Sequence, residues 1–172
     1  MRKLFILCAF LLQLLSPVYP QQATTATIEP NLKYGKPSKE ALSLTSYAPD
    51  TTATAIYLFH QGQSDFIYHD GFQLTTEHWV RIKILKPQGV SYADVSVPYY
   101  SPTDKDEGQE RASEIEGCSY NMENGKCIKT PMKRESISFE RFNNLYKILK
   151  FSLPAVKEGT IIEYHYKLYS DY

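Results

Sequence analysis

Thiols, imidazoles, carboxylates and aromatic rings are the groups with which this chain could do chemistry. Gly117-Cys118 superficially resembles a nucleophile site. A thiol nucleophile needs a base beside it and surroundings that favour thiolate. Cys118 instead introduces a hairpin strand with no helix N-terminus after it, and His60, His69, His78 and His165 are all distant in sequence. A structural cysteine is the expectation, and no catalytic residue is assigned. Asp104-Lys105-Asp106-Glu107-Gly108 begins like a calcium loop, but its glycine arrives one place early and no terminal glutamate follows at the right position. The histidines form no i, i+2 or i, i+4 pair, so neither a metal site nor a cofactor is expected. Aromatic rings are the more serious chemistry. Trp79 lies opposite the apolar face of its strand, and Tyr99-Tyr100 precede Ser101-Pro102 at the mouth of a loop. These three rings are the candidates for stacking on a glycan or peptide. The plainer account is that they pack a second layer or a neighbouring domain.

The elements that must position these groups are mostly strands. His78, Val80, Ile82 and Ile84 alternate with Trp79, Arg81 and Lys83, a pattern that covers a core on one side. Ile162, Tyr164, Tyr166 and Leu168 alternate in the same way with Ile161, Glu163, His165 and Lys167. Further strands are read at 54–59, 66–68, from Phe72, at 92–97, at 137–139 and at 146–153. A surface loop is expected over 101–116. Asn124-Gly125 is a strong hairpin signal inside the 118–130 segment. A two-residue turn there pairs Met122 with Cys127 and a three-residue turn with a glycine bulge pairs Asn121 with Cys127, so that Cys118 is three or four residues, roughly 10 to 13 Å, away along its strand. That is beyond the reach of a disulfide, so two unlinked thiols are expected. Pro37 to Leu42 reads as one short helix, stopped by Ala48-Pro49-Asp50. About nine strands with short connections argue for a mainly β fold, an antiparallel sandwich or strongly curved sheet, with a barrel left open.

Composition sets the remaining bounds. With 172 residues and 42% hydrophobic residues the chain can build one domain with a core, and 19 basic residues balance 19 acidic ones. No net field draws nucleic acid. The 14 Tyr and 8 Phe favour strands. Arg2-Lys3, the apolar run Leu4 to Leu15 and the Ser16-Pro17 breaker read as a secretory signal over 1–22, too short in its apolar part to span a membrane. A flexible lead-in over 23–31 and a domain over 32–172 follow. The expected location is the periplasm or the outside of the cell.

Several segments together resemble a known family. They are Lys33-Tyr34-Gly35-Lys36-Pro37-Ser38, Trp79 to Lys86, Tyr120-Asn121 with Asn124-Gly125-Lys126, and Phe151-Ser152-Leu153-Pro154 with Lys157 to Tyr164. In this order they are similar to the N-terminal domain of unknown function that precedes a transglutaminase-like domain in many exported bacterial proteins. The resemblance implies a non-catalytic structural or interaction module whose partner is a downstream domain or another protein. It also implies that the chain is incomplete at its C-terminus, its last strand awaiting neighbours and prone to self-association. The alternative is a carbohydrate- or peptide-binding sandwich module, and third comes a cysteine-dependent hydrolase or acyl transferase.

Overall fold

The computed structural model describes residues 33–68, 71–103 and 108–171. The signal segment, the lead-in, His69, Asp70 of the Asp70-Gly71 turn and the acidic run 104–107 lie outside the described residues.

One helical turn, α1 (Lys39–Ser43), starts where the sequence places it. Its Ser38 hydroxyl accepts a hydrogen bond from the Ala41 amide at 3.1 Å, capping the first turn. Among the described residues eight strands follow: β1 (Ala55–Tyr68), β2 (Phe72–Ile84), β3 (Asp94–Tyr100), β4 (Glu110–Glu123), β5 (Lys126–Pro131), β6 (Ile137–Arg141), β7 (Tyr146–Ser152) and β8 (Ile161–Asp171). They form two antiparallel sheets, one ordered β1-β2-β8-β4-β5 and one ordered β3-β7-β6. The fold is mainly β with no closed barrel among the described residues. No described helix is long and apolar enough to cross a membrane.

The last strand departs most from expectation. β8 is the middle of the larger sheet, paired with β2 from Lys83↔Ile161 to Gln73↔Asp171 and with β4 on its other side. Both of its backbone edges are satisfied by strands that precede it, so the supposed unpaired strand, and self-association through it, have no basis. Its alternation holds: Ile162, Tyr164, Tyr166 and Leu168 meet Val80, Ile82 and Ile84 of β2 and Leu149 and Phe151 of β7 in the main core between the sheets.

Two other differences have one cause. β1 is a single 14-residue strand rather than two short ones, and β4 begins at Glu110, inside the expected loop. Both stretches, His60 to Asp65 and Glu110 to Gly117, are polar and lack apolar alternation. Ladder pairing to β2 and β8 extends them all the same, since a strand with one wet or ionic face needs no hydrophobic signal. Each carries a bulge, between Tyr57 and Phe59 in β1 and between Ser113 and Glu116 in β4. In the second, Glu114 takes a left-handed φ of 52°.

The β4–β5 hairpin closes through the two-residue turn rather than the bulged one, with Met122 opposite Cys127 and both Asn124 and Gly125 at positive φ. Cys118 and Cys127 are free thiols, the first buried and the second exposed.

Candidate functional site

The face of the large sheet that carries Trp79, Arg81 and Lys83 is not a wet surface. Residues 33–44 lie across it, and a second small core of Ala41, Cys118, Tyr120 and Ile161 forms beneath them. The ionic side chains there are fully enclosed: Arg81 and Glu163 are 0% exposed and Lys83 is 1% exposed.

Register explains how they meet. Arg81 on β2 stands directly opposite Glu163 on β8, and Glu163 in turn stands opposite Cys118 on β4. The Arg81 guanidinium donates to Glu163 Oε1 from Nη2 at 2.6 Å and from Nε at 3.1 Å. Its Nη2 also donates to the Lys33 carbonyl at 2.7 Å. Glu163 accepts further bonds from the Gly35 amide at 3.1 and 3.0 Å and from the Tyr120 hydroxyl at 3.0 Å. Gly35 has φ 82°, a left-handed turn that suits glycine and aims its amide at the carboxylate. The Lys33-Tyr34-Gly35 segment is thus strapped to the sheet through one buried ion pair. Charge-assisted bonds of this kind are the strong ones, which is what a carboxylate withdrawn from water requires.

Lys83 has no acid partner among the described residues. Its ammonium donates to the Leu42 carbonyl at 2.8 Å and the Gly159 carbonyl at 2.6 Å, and burial pulls its pKa down to about 8 from 10.5. An unfolded chain therefore holds the Lys83 proton more tightly than the folded one between pH 8 and 10.5. Its contribution makes the fold more stable as pH rises through that window, by at most about 1.4 kcal/mol per pH unit. Buried phenols act oppositely above pH 10, because burial raises Tyr34, Tyr120, Tyr164 and Tyr166. Urea denaturation from pH 7.5 to 10 is expected to show midpoints that rise more steeply in the wild type than in Lys83→Met. Parallel profiles would mean that Lys83 is not desolvated.

Cys118 lies on this face at 3% exposure. Burial pushes its thiol pKa up; Tyr120 and Lys129 pull the other way with smaller effect. It borders a cavity of 700 Å3 whose other walls include Glu114, Glu116, Lys129, Lys133 and Arg134. Glu114 is held by the Tyr169 hydroxyl at 2.8 Å. Among the described residues no hydrogen bond or ion pair joins Cys118 to an imidazole. Among those residues no group of three or more His, Cys, Asp or Glu side chains is placed to hold a metal ion.

The three candidate stacking rings are not brought together. Tyr99 is buried in the main core, where its ring packs edge-on to Phe139 at 6.5 Å, so it has no free face for a ligand. Tyr100, also on β3, packs edge-on to Tyr146 at 5.8 Å. Trp79 lies on the other sheet. Its indole stacks on the His165 imidazole at 5.2 Å and 22°, and the Tyr34 ring meets that imidazole edge-on at 6.2 Å. Glu77 completes the row: its Oε1 accepts from Lys167 at 2.7 Å, and its Oε2 is 3.8 Å from His165 Nε2. Sequence reasoning missed Tyr34, Phe59, Gln61 and Gln63, which gather around Trp79. The alternation of β2 placed Trp79 on this face, but no local signal says that residues 33–38 fold back over it.

At the end of the β1–β2 hairpin where β1 gives way to β2, Phe66, Tyr68 and Phe72 are 75%, 74% and 68% exposed, with the Tyr68 and Phe72 rings edge-on at 5.3 Å.

A family model described as a domain of unknown function with a solved structure (DUF3857) matches residues 70–171, more than half of the chain. Among solved structures, the crystal structure of a "putative protease" from Parabacteroides distasonis is similar with a TM-score of 0.48 and 10% identity. That match covers 69% of this chain and 23% of the other, so this chain spans under a quarter of that protein's length. No curated protein matches.

Proposed function

The chain belongs to the DUF3857 family of domains of unknown function, and from that premise we propose that it is a non-catalytic interaction module of an exported protein, with a transglutaminase-like domain as its partner. The observation that carries the non-catalytic reading is the fate of the reactive groups. Cys118 is buried with its pKa pushed up, and Arg81, Glu163 and Lys83 spend their hydrogen bonds on the strap, on Tyr120 and on backbone carbonyls. A site built for acyl transfer needs the opposite, a thiol made acidic and within reach of a base. The interaction half of the reading is supported by the hairpin end, where Phe66, Tyr68 and Phe72 present apolar area to solvent. Arg2 to Gln22, with the features of a secretory signal, supports export, and the ordered resemblance supports the partner.

Iodoacetamide labelling at pH 7 followed by mass mapping tests the reading. The exposed Cys127 is expected to label within minutes and Cys118 only after unfolding. Rapid selective labelling of Cys118, together with a hydrolase or acyl-transfer activity that Cys118→Ser abolishes, would overturn it.

A further inference from the structure

We propose that the pocket between Trp79 and strand β1 binds a neutral saccharide ring. Its volume is 290 Å3 and its walls are Tyr34, Phe59, Gln61, Gln63 and Trp79. That is the low end of the range for ligand pockets and suits one sugar ring rather than a folded partner.

The geometry follows from register. Trp79 pairs across the ladder with His165 on one side and with Gln61 on the other. Because the imidazole of His165 covers one face of the indole, the other face is turned toward β1, where Phe59, Gln61 and Gln63 stand on the same side of the sheet. The platform is backed by the His165 ring, which Tyr34 in turn meets edge-on while walling the same pocket, and the Gly35–Glu163 bond fixes the segment that carries Tyr34. A ligand therefore meets an aromatic plane that is already oriented, and ordering costs it little.

The lining chemistry selects the ligand. Among the described residues no charged side chain lines this pocket, unlike the larger cavity beyond Tyr34, which is walled by acids and bases. What it offers is a flat aromatic face, two side-chain amides that each donate and accept, and a phenol kept protonated by burial and by the nearby Glu163 charge. Gln63 is steadied by donating to Asp65 Oδ2 at 2.9 Å, which leaves its carbonyl oxygen to accept. A pyranose presents the complement: an apolar C–H face for the indole and a rim of hydroxyls that both donate and accept. A charged ligand would find no counter-ion in the lining, and a peptide side chain would leave the paired amides unsatisfied.

The site does not depend on the non-catalytic reading, since neither Cys118 nor its reactivity enters it. Trp79 is the only tryptophan in the chain, so emission excited at the red edge of the band, where the 14 tyrosines do not absorb, reports on the proposed platform alone. The full chain is titrated with cellotetraose, maltotetraose, xylotetraose, mannotetraose and chitotetraose, with tetra-alanine and tetra-glutamate as controls. At least one sugar is expected to shift or quench the emission saturably, and calorimetry on the same sugar is expected to lose about tenfold or more in affinity in Trp79→Ala, equivalent to ~1.4 kcal/mol. Gln61→Ala and Gln63→Ala alter exposed residues and leave the stack intact, so they decide the matter if Trp79→Ala does not fold. Each is expected to weaken binding about threefold to tenfold. Binding of tetra-alanine or tetra-glutamate in place of sugars, sugar binding indifferent to all three substitutions, or no response to any sugar at about 10 mM would overturn the proposal.

Discussion

Glu163→Ala is expected to cost on the order of 4 kcal/mol in urea denaturation, because it removes a carboxylate that meets the buried Arg81 guanidinium at 2.6 Å in a site closed to water. The loss reaches further than one pair. The Gly35 amide and the Tyr120 hydroxyl lose their acceptor in the same step, and residues 33–38 lose their tether to the sheet. Hydrogen exchange at the Gly35 amide is expected to accelerate, and Cys118 in the small core beneath is expected to become open to alkylation. Glu163→Gln separates charge from shape: it keeps the volume yet cannot neutralise Arg81, so most of the penalty should persist. The double substitution Arg81→Met with Glu163→Leu removes both charges from a site with no solvent access, and it is expected to recover much of the stability. A loss below about 1 kcal/mol in the alanine variant would show that the pair is not desolvated and that the strap is held by something else.

That pair also marks the boundary of what the amino-acid order discloses. Alternation in β2 and β8 assigned Val80, Ile82, Ile84, Ile162 and Tyr164 to the main core, because an apolar side chain at every second position has one stable place to go. The same alternation placed Trp79, Arg81 and Glu163 together on the opposite face, but it could not say that this face is covered. A buried arginine and an exposed one have identical local sequence; the difference lies in a partner 82 residues away and a strap 48 residues away. The position of β8 was illegible for a related reason. A strand last in sequence reads as an edge when neighbours are counted along the chain, whereas the sheet inserts it between β2 and β4. Its residues say as much in hindsight: Ile161, Ile162, Glu163 and Tyr164 are consecutive and all buried, as only a strand covered on both faces can be. For the saccharide pocket, Trp79 was legible, while Gln61 and Gln63 sit in a polar stretch whose strand state depends on pairing to β2. Tyr99 misled because a Tyr-Tyr-Ser-Pro segment looks like a loop mouth from sequence, yet Tyr99 pairs with Lys147 on β7 and points into the core.

Gly89→Ala is expected to destabilise by about 3 kcal/mol, although its backbone is not in the left-handed region and the new methyl group is small. The reason is a close backbone approach. Gly89 lies in the 3-10 segment Pro87–Ala93 that connects β2 to the second sheet, pressed against the residue that precedes β1. A Cβ there would fall within contact distance of the Thr54 carbonyl oxygen, 3.0 Å from its carbon and 3.3 Å from Ala55 Cβ. Thr54 O cannot yield cheaply, because it accepts from the Leu85 amide at 2.8 Å and the Lys86 amide at 3.0 Å. Moving it would break or lengthen two buried bonds at the point where β1 begins and β2 ends. The alternative, moving the 3-10 segment outward, would pull Val90 and Ala93 off the main core. Either route loosens the junction between the two sheets, so a thermal midpoint lower by about 6 to 12 °C is expected. Gly125→Ala is the contrasting case: its φ of 74° strains any other residue, but nothing lies within 4 Å of the added carbon, so the cost should stay near 1 kcal/mol. If the two substitutions lowered the midpoint equally, contact with Thr54 would not be what requires glycine at position 89.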